Sequence, residues 1–114
     1  EVEAVVCHGT GTPANDRAEA GALRQVFGES RPWVNAPKSL IGHLSMACGA
    51  VESAIAVLSL GEGFFPSTVT EGWMEDEGAP VRMARAPGIR GVRSVLKPSF
   101  GFGGQNACLL FQRG

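Results

Sequence analysis

Between Leu44 and Leu60 the chain is apolar at nearly every position, and one carboxylate, Glu52, stands inside the run. A helix built from this stretch has little polar surface to turn toward water, so it is expected at the centre of the fold. Its polar positions Ser45, Glu52 and Ser59 are seven residues apart and share one stripe. A glutamate buried in such a helix needs a cationic partner. Lys38 is the nearest candidate in sequence, provided that it folds back over the helix. Ser45, Glu52 and Ser53 interrupt the run, which argues against a membrane span.

The elements around this helix follow from pattern. Val2 to Cys7 is short, apolar and partly β-branched, as expected for a strand covered on both faces. Thr12 and Pro13 predict a helix start, with Thr12 as N-cap and Pro13 in the first turn. Ala18, Ala22, Leu23, Val26 and Phe27 then form its apolar face, and Gly28 ends it. Trp33 to Ala36 reads as a second strand and Pro37 to His43 as a loop. The central helix covers about Leu44 to Leu60, with Gly61 and Gly63 as its stop. Phe64 to Gly91 is irregular apart from a short strand near Val81 to Met83. Ser94 to Ser99 and Asn106 to Phe111 read as strands joined by a glycine-rich turn, Phe100 to Gly104. The order predicts one layered α/β domain, with strands and helices alternating and a closing hairpin.

With 114 residues, 44% of them apolar, the chain can bury a core of its own. A net charge of −1 without a basic run speaks against nucleic acid and anionic membranes as partners. Cys7, Cys48 and Cys108 lack metal or scaffold spacing and all lie in apolar runs. They are expected to be buried thiols in a reducing, cytoplasmic setting, and no signal peptide is visible. The chain begins inside a predicted strand, so an upstream segment or a partner is expected to supply what precedes it.

Only two histidines occur, His8 and His43, and each falls in a loop between a strand and a helix. In a parallel α/β arrangement both loops lie at the carboxyl edge of the sheet, where ligands bind, so the two rings can converge. A histidine there can donate or accept a proton near neutral pH. The HGTGTP turn lacks the lysine of a phosphate loop and the third glycine of a dinucleotide fingerprint. A zinc site from Cys7, His8, His43 and Cys48 is disfavoured, because neighbouring strand residues point to opposite faces. No metal is expected. None of the cysteines has the surroundings of a nucleophile. The FGFGG turn can offer backbone N–H groups to a developing oxyanion, and its phenylalanines are unusual for a solvated turn.

Three segments in this order, HGTGTPANDRAEAGAL, KSLIGHLSMACGAVE and SFGFGGQNACLLF, resemble the C-terminal half of a β-ketoacyl synthase, the condensing enzyme of fatty acid and polyketide synthesis. The resemblance implies a thiolase-like fold, of which residues 1–114 would be the second, C-terminal half, a mixed sheet with layered helices. It implies decarboxylative Claisen condensation of an acyl thioester with a malonyl-carrier thioester. His8 and His43 match the two histidines that stabilise the enolate, Lys38 the lysine that orients the site, and Glu52 its acidic partner. Thr10 and Thr12 match threonines that bind the phosphopantetheine arm. Phe102 matches the gating phenylalanine, with Phe100 and Gly103 in the same substrate-facing loop. Asp16 and Glu19 are expected to be structural.

By the same resemblance the nucleophilic cysteine lies in an N-terminal half that this chain does not contain. The isolated chain is therefore expected to be inactive and to expose an apolar face. Expected partners are that half, on the same or a separate chain, an acyl carrier protein, and a second subunit in a homodimer or heterodimer. No resident cofactor is implied. Pro98 and Gln105 stand where the family more usually has asparagine and threonine. The alternative is a non-catalytic subunit like a chain-length factor, which need not keep both histidines. A thiolase is disfavoured by the paired histidines, since that enzyme typically uses a second cysteine.

Overall fold

The computed structural model describes residues 1–70 and 81–114. In chain order the elements are β1 (Ala4–Val6), α1 (Pro13–Phe27), β2 (Trp33–Asn35), a single turn α2 (Lys38–Ile41), α3 (Cys48–Glu62), β3 (Phe64–Phe65), β4 (Arg82–Met83), β5 (Ile89–Arg90), β6 (Ser94–Phe100) and β7 (Asn106–Gln112). Five strands form one sheet in the order β4-β2-β1-β6-β7. The first four are mutually parallel and β7 runs antiparallel to β6, from Ser94 opposite Gln112 to Phe100 opposite Asn106. The expected α/β order and the closing hairpin are both present.

The pleat of β1 sorts the core into two layers. Ala4 and Val6 face α3 and pack with Ala56, Leu60, Phe65, Val92 and Val95. Val5 and Cys7 face the other way and pack with Leu23 and Val34. The sheet thus lies between α1 and α3. At about 25 cal/mol per Å2 of apolar area removed from water, each fully buried valine contributes roughly 1.5–3 kcal/mol.

Several expectations change in detail. Lys38 to Ile41 is a helical turn rather than loop, closed by the Gly42 N–H on the Lys38 carbonyl. The long helix begins later than Leu44: Ser45–Ala47 is a 3-10 turn and α3 proper starts at Cys48. Gly61 lies inside α3, and Gly63 alone ends it, in the left-handed conformation that glycine adopts without steric cost. Neither is α3 buried all round. Its inward stripe is Cys48, Glu52, Ala56, Ser59 and Leu60, while Val57 and Leu58 are exposed. Glu52 and Ser59 therefore share the buried stripe, whereas Ser45 is exposed in the turn before the helix.

On α1 the buried residues are Glu19 and Leu23, with Phe27 partly buried, and Ala18, Ala22 and Val26 face outward. Cys7 and Cys48 are buried as expected, but Cys108 is exposed, because β7 is an edge strand with little packed against it. Within the stretch read as irregular, β3 pairs antiparallel with β5, and β4 lies where a strand was expected. Residues 71–80 of that stretch lie outside the described residues. By length and composition Ser45–Glu62 passes as a membrane span. Its α-helical part has 15 residues, about 22 Å, short of a roughly 30 Å hydrocarbon core, and its Glu52 side is packed against the sheet.

Candidate active site

The carboxyl ends of β1, β2 and β6 deliver His8, Lys38 and Phe100 to one edge of the sheet, and the turn before α3 brings His43. The His8 and His43 rings meet edge to face with centroids 6.1 Å apart. Phe100 also packs on His8, edge to face at 5.6 Å between centroids. The two histidines converge as the loop positions predicted.

His8 is held by its backbone. Its N–H donates to Glu19 Oε1 at 2.7 Å, and the Gly9 N–H donates to Glu19 Oε2 at 2.8 Å. Lys38 Nζ donates to the His8 carbonyl at 2.5 Å. Gly9 has φ +44° and lies so close to β2 that a Cβ there would come within 2.8 Å of the Ala36 Cβ. Only glycine passes that point without displacing the loop. Glu19 and Asp16 are structural, as expected: Asp16 accepts from the Gly11 N–H at 3.3 Å. Burial raises the Glu19 carboxyl above its ordinary range, and the hydrogen bonds from Gly9 and His8 oppose that rise.

His43 is held differently. Gly42 (φ +73°) and Ser45 (φ +54°) form a tight turn, and the Ser45 N–H donates to His43 Nδ1 at 3.0 Å. Nδ1 is then the acceptor of a neutral imidazole, and the ring proton sits on Nε2. Cys48 Sγ lies 3.6 Å from the same Nδ1 and accepts the Leu44 N–H at 3.2 Å.

Beneath the rings, Lys38 Nζ donates to Glu52 Oε1, the pair expected from the sequence, with both side chains buried. A second lysine completes the group and escaped the sequence reading. Lys97 Nζ lies 2.9 Å from Glu52 Oε2, donates to the Pro98 carbonyl, and reaches Ser99 Oγ at 3.0 Å. Its contact with Glu52 is an ion pair without hydrogen-bond alignment, since Oε2 has no aligned donor. Burial, then the charges of Lys38 and Lys97, lower the His8 imidazole below its ordinary value, and Glu52 opposes them. These influences favour the neutral form of His8.

The remaining candidates are more peripheral. Thr10 and Thr12 share a hydrogen bond of 2.9 Å, and Thr12 also caps α1 through the Asn15 N–H. The glycine-rich turn is closed by the Gly101 N–H on the Gln105 carbonyl, and Gly103 has φ +77°. Phe102 at its tip is fully exposed and, unlike Phe100, does not stack on the histidines. Burial and the charge of Glu19 push the Cys7 thiol well above its ordinary value, which leaves it an unreactive packing group. Among the described residues no cluster of histidine, cysteine or carboxylate has the makings of a metal site.

Residues 1–70 match the family model described as "Beta-ketoacyl synthase, C-terminal domain". Over 106 residues the chain is 34% identical to 3-oxoacyl-[acyl-carrier-protein] synthase 1 of Escherichia coli (strain K12), covering 93% of this chain and 26% of that protein. It is 38% identical over 113 residues to 3-oxoacyl-[acyl-carrier-protein] synthase 2 of Mycobacterium bovis, covering 99% of this chain and 27% of that one. The chain thus spans about a quarter of the length of these relatives. Among solved structures, the ishigamide ketosynthase/chain length factor superposes with a TM-score of 0.90 at 33% identity, over 100% of this chain and 28% of that one. A β-ketoacyl synthase from Burkholderia phymatum STM815 gives 0.88 at 31%, over 99% and 28%. A ketosynthase in complex with its type II acyl-carrier protein gives 0.88 at 26%, over 97% and 28%. The mixed sheet with its layered helices is the thiolase-like fold of these C-terminal domains.

Proposed function

Because the chain belongs to the β-ketoacyl synthase family, through its C-terminal domain, we propose that it supplies the two-histidine part of a condensing active site. The observation that carries this reading is the approach of the His8 and His43 rings to 6.1 Å between centroids. The His43 ring is held through Nδ1 and the His8 loop through its main chain, while the His8 ring is packed against its neighbours and its buried Nδ1 has no hydrogen-bond partner among the described residues.

The reaction begins at a malonyl thioester. Its bond to the carboxylate breaks, carbon dioxide leaves, and the electron pair moves onto the thioester oxygen as an enolate. His43 Nε2–H donates to that oxygen together with the neutral His8 ring. Donors already in place gain most when charge develops, because they need no reorganisation. The enolate carbon then attacks the carbonyl of an acyl group held as a thioester on a cysteine. The carbon–sulfur bond breaks, the thiolate is regenerated, and a β-ketoacyl thioester remains on the carrier. That cysteine belongs to an N-terminal half outside this chain. Lys38, with Glu52 beneath it, orients the loop of His8.

Thr10 and Thr12 receive the phosphopantetheine arm of an acyl carrier protein. Phe102 gates the site from its exposed position, and Gly103 gives its loop the freedom to move. The assembled enzyme acts on fatty acid or polyketide intermediates as a homodimer or heterodimer. Likeness to a ketosynthase/chain length factor raises a second reading, a non-catalytic partner subunit. The fixed and converging histidines favour catalysis over it.

The test is His43→Ala in the complete protein, with malonyl-carrier decarboxylation as the readout. One lost oxyanion donor lowers turnover by about 10²–10³-fold. Near-normal decarboxylation would remove His43 from the chemistry and favour the partner-subunit reading.

A further inference from the structure

Lys97 takes no part in the condensation proposed above, yet its side chain is 1% exposed and ends on the carboxylate that holds Lys38. Two lysines therefore share one glutamate, an arrangement with an excess positive charge. Burying an ion is expensive, and a structural ion pair needs only one cation for Glu52. The second cation makes three contacts: Glu52 Oε2, Ser99 Oγ and the Pro98 carbonyl. Two of these lie on the last residues of β6 before Phe100, the residue that stacks on His8.

Glu52 thus stands where two lines of support meet. One runs through Lys38 to the carbonyl of His8, and the other through Lys97 to the strand end that carries Phe100. We propose that Lys97 is a positioning residue of the two-histidine site, which fixes His8 against Phe100 through Glu52 and Ser99. This inference rests on the condensing function proposed above.

The charges around His8 can be named. Lys38 and His43 approach from α2 and the turn after it, Glu52 from α3 and Lys97 from β6. Glu19 on α1 binds its N–H, Asp16 binds the same loop, and the Cys7 thiol precedes it just after β1. Among these, Lys38, Lys97 and His43 disfavour an imidazolium and Glu52 favours one. Removing the Lys97 charge moves the His8 titration upward, so a larger fraction of His8 is protonated in mildly acidic solution.

The experiment uses the complete protein with Lys97→Met, Lys97→Arg and, should the methionine variant not fold, Lys97→Gln. The imidazole signal of His8, assigned by its loss in His8→Ala, is followed by NMR against pH beside the pH profile of malonyl decarboxylation. The neutral variants raise the His8 midpoint and move the acidic limb of the profile the same way. They lower kcat about tenfold or more with little change in KM, as a misplaced catalytic group does. Lys97→Arg keeps the wild-type midpoint. An unchanged midpoint in a folded neutral variant overturns the proposal. A shifted midpoint in a protein whose wild type does not decarboxylate malonyl-carrier would leave the coupling standing and sink the condensing function instead.

Discussion

At the scale of single residues, charge and hydrogen bonding work on the backbone of the His8 loop more than on its ring. Glu19 accepts two backbone N–H groups, so Glu19→Gln must turn an amide N–H2 toward one of them. Such a buried donor left unpaired costs about 1–3 kcal/mol, measurable by denaturant unfolding. The pH dependence has a sign. Burial raises the Glu19 carboxyl in the folded state, so the fold binds more protons than the unfolded chain just above pH 4.5. Stability from this group is greatest below the unfolded value and falls as pH rises through the folded one. Glu19→Gln removes that slope. His8, lowered in the fold, acts oppositely: its contribution is complete above the ordinary value of 6.5 and falls as pH drops below it. Much at this scale was legible in sequence, including the convergence of His8 with His43 and the Lys38–Glu52 pair. Lys97 was not, because a lone lysine between Leu96 and Pro98 reads as a strand residue facing water. Its burial depends on Glu52, which is remote in sequence and reaches it only once α3 lies on β6.

At the scale of elements, the stripe that faces the sheet on α1 differs by one position from the one its alanines suggest. Helical spacing gives two neighbouring four-residue series, Ala18-Ala22-Val26 and Glu19-Leu23-Phe27, and hydrophobicity alone favours the first. Glu19 decides for the second, since its carboxylate is required under the His8 loop. The same limit applies to Cys108: an apolar strand reads alike at the centre and at the edge of a sheet. The approach of Gly9 to Ala36 gives a test of how tightly β1 and β2 fix the site. Gly9→Ala combines a left-handed φ of +44° with a 2.8 Å contact. Strain in a left-handed alanine alone is about 1–2 kcal/mol. The variant should lose at least that much stability by denaturant unfolding, and Tm should fall with it. Wild-type stability would mean that the loop relaxes away from β2.

At the scale of the whole molecule, apolar side chains remain uncovered on α3 and β7. Val57, Leu58, Leu109 and Leu110 are each at least half exposed. Such surface on a small domain marks a contact region, and the N-terminal half is the occupant proposed for it. Leu58→Asp together with Leu110→Asp should block activity when the complementary half is supplied. Unimpaired reconstitution would assign that surface to another contact. The grip on His8 has a different consequence. Glu19 takes its N–H and Lys38 its carbonyl, and neither needs the imidazole. The main-chain bonds at this position do not depend on the side chain, whose own contacts are the rings of His43 and Phe100. Replacing His8 would thus take away the proposed enolate donor and leave these main-chain bonds where they are.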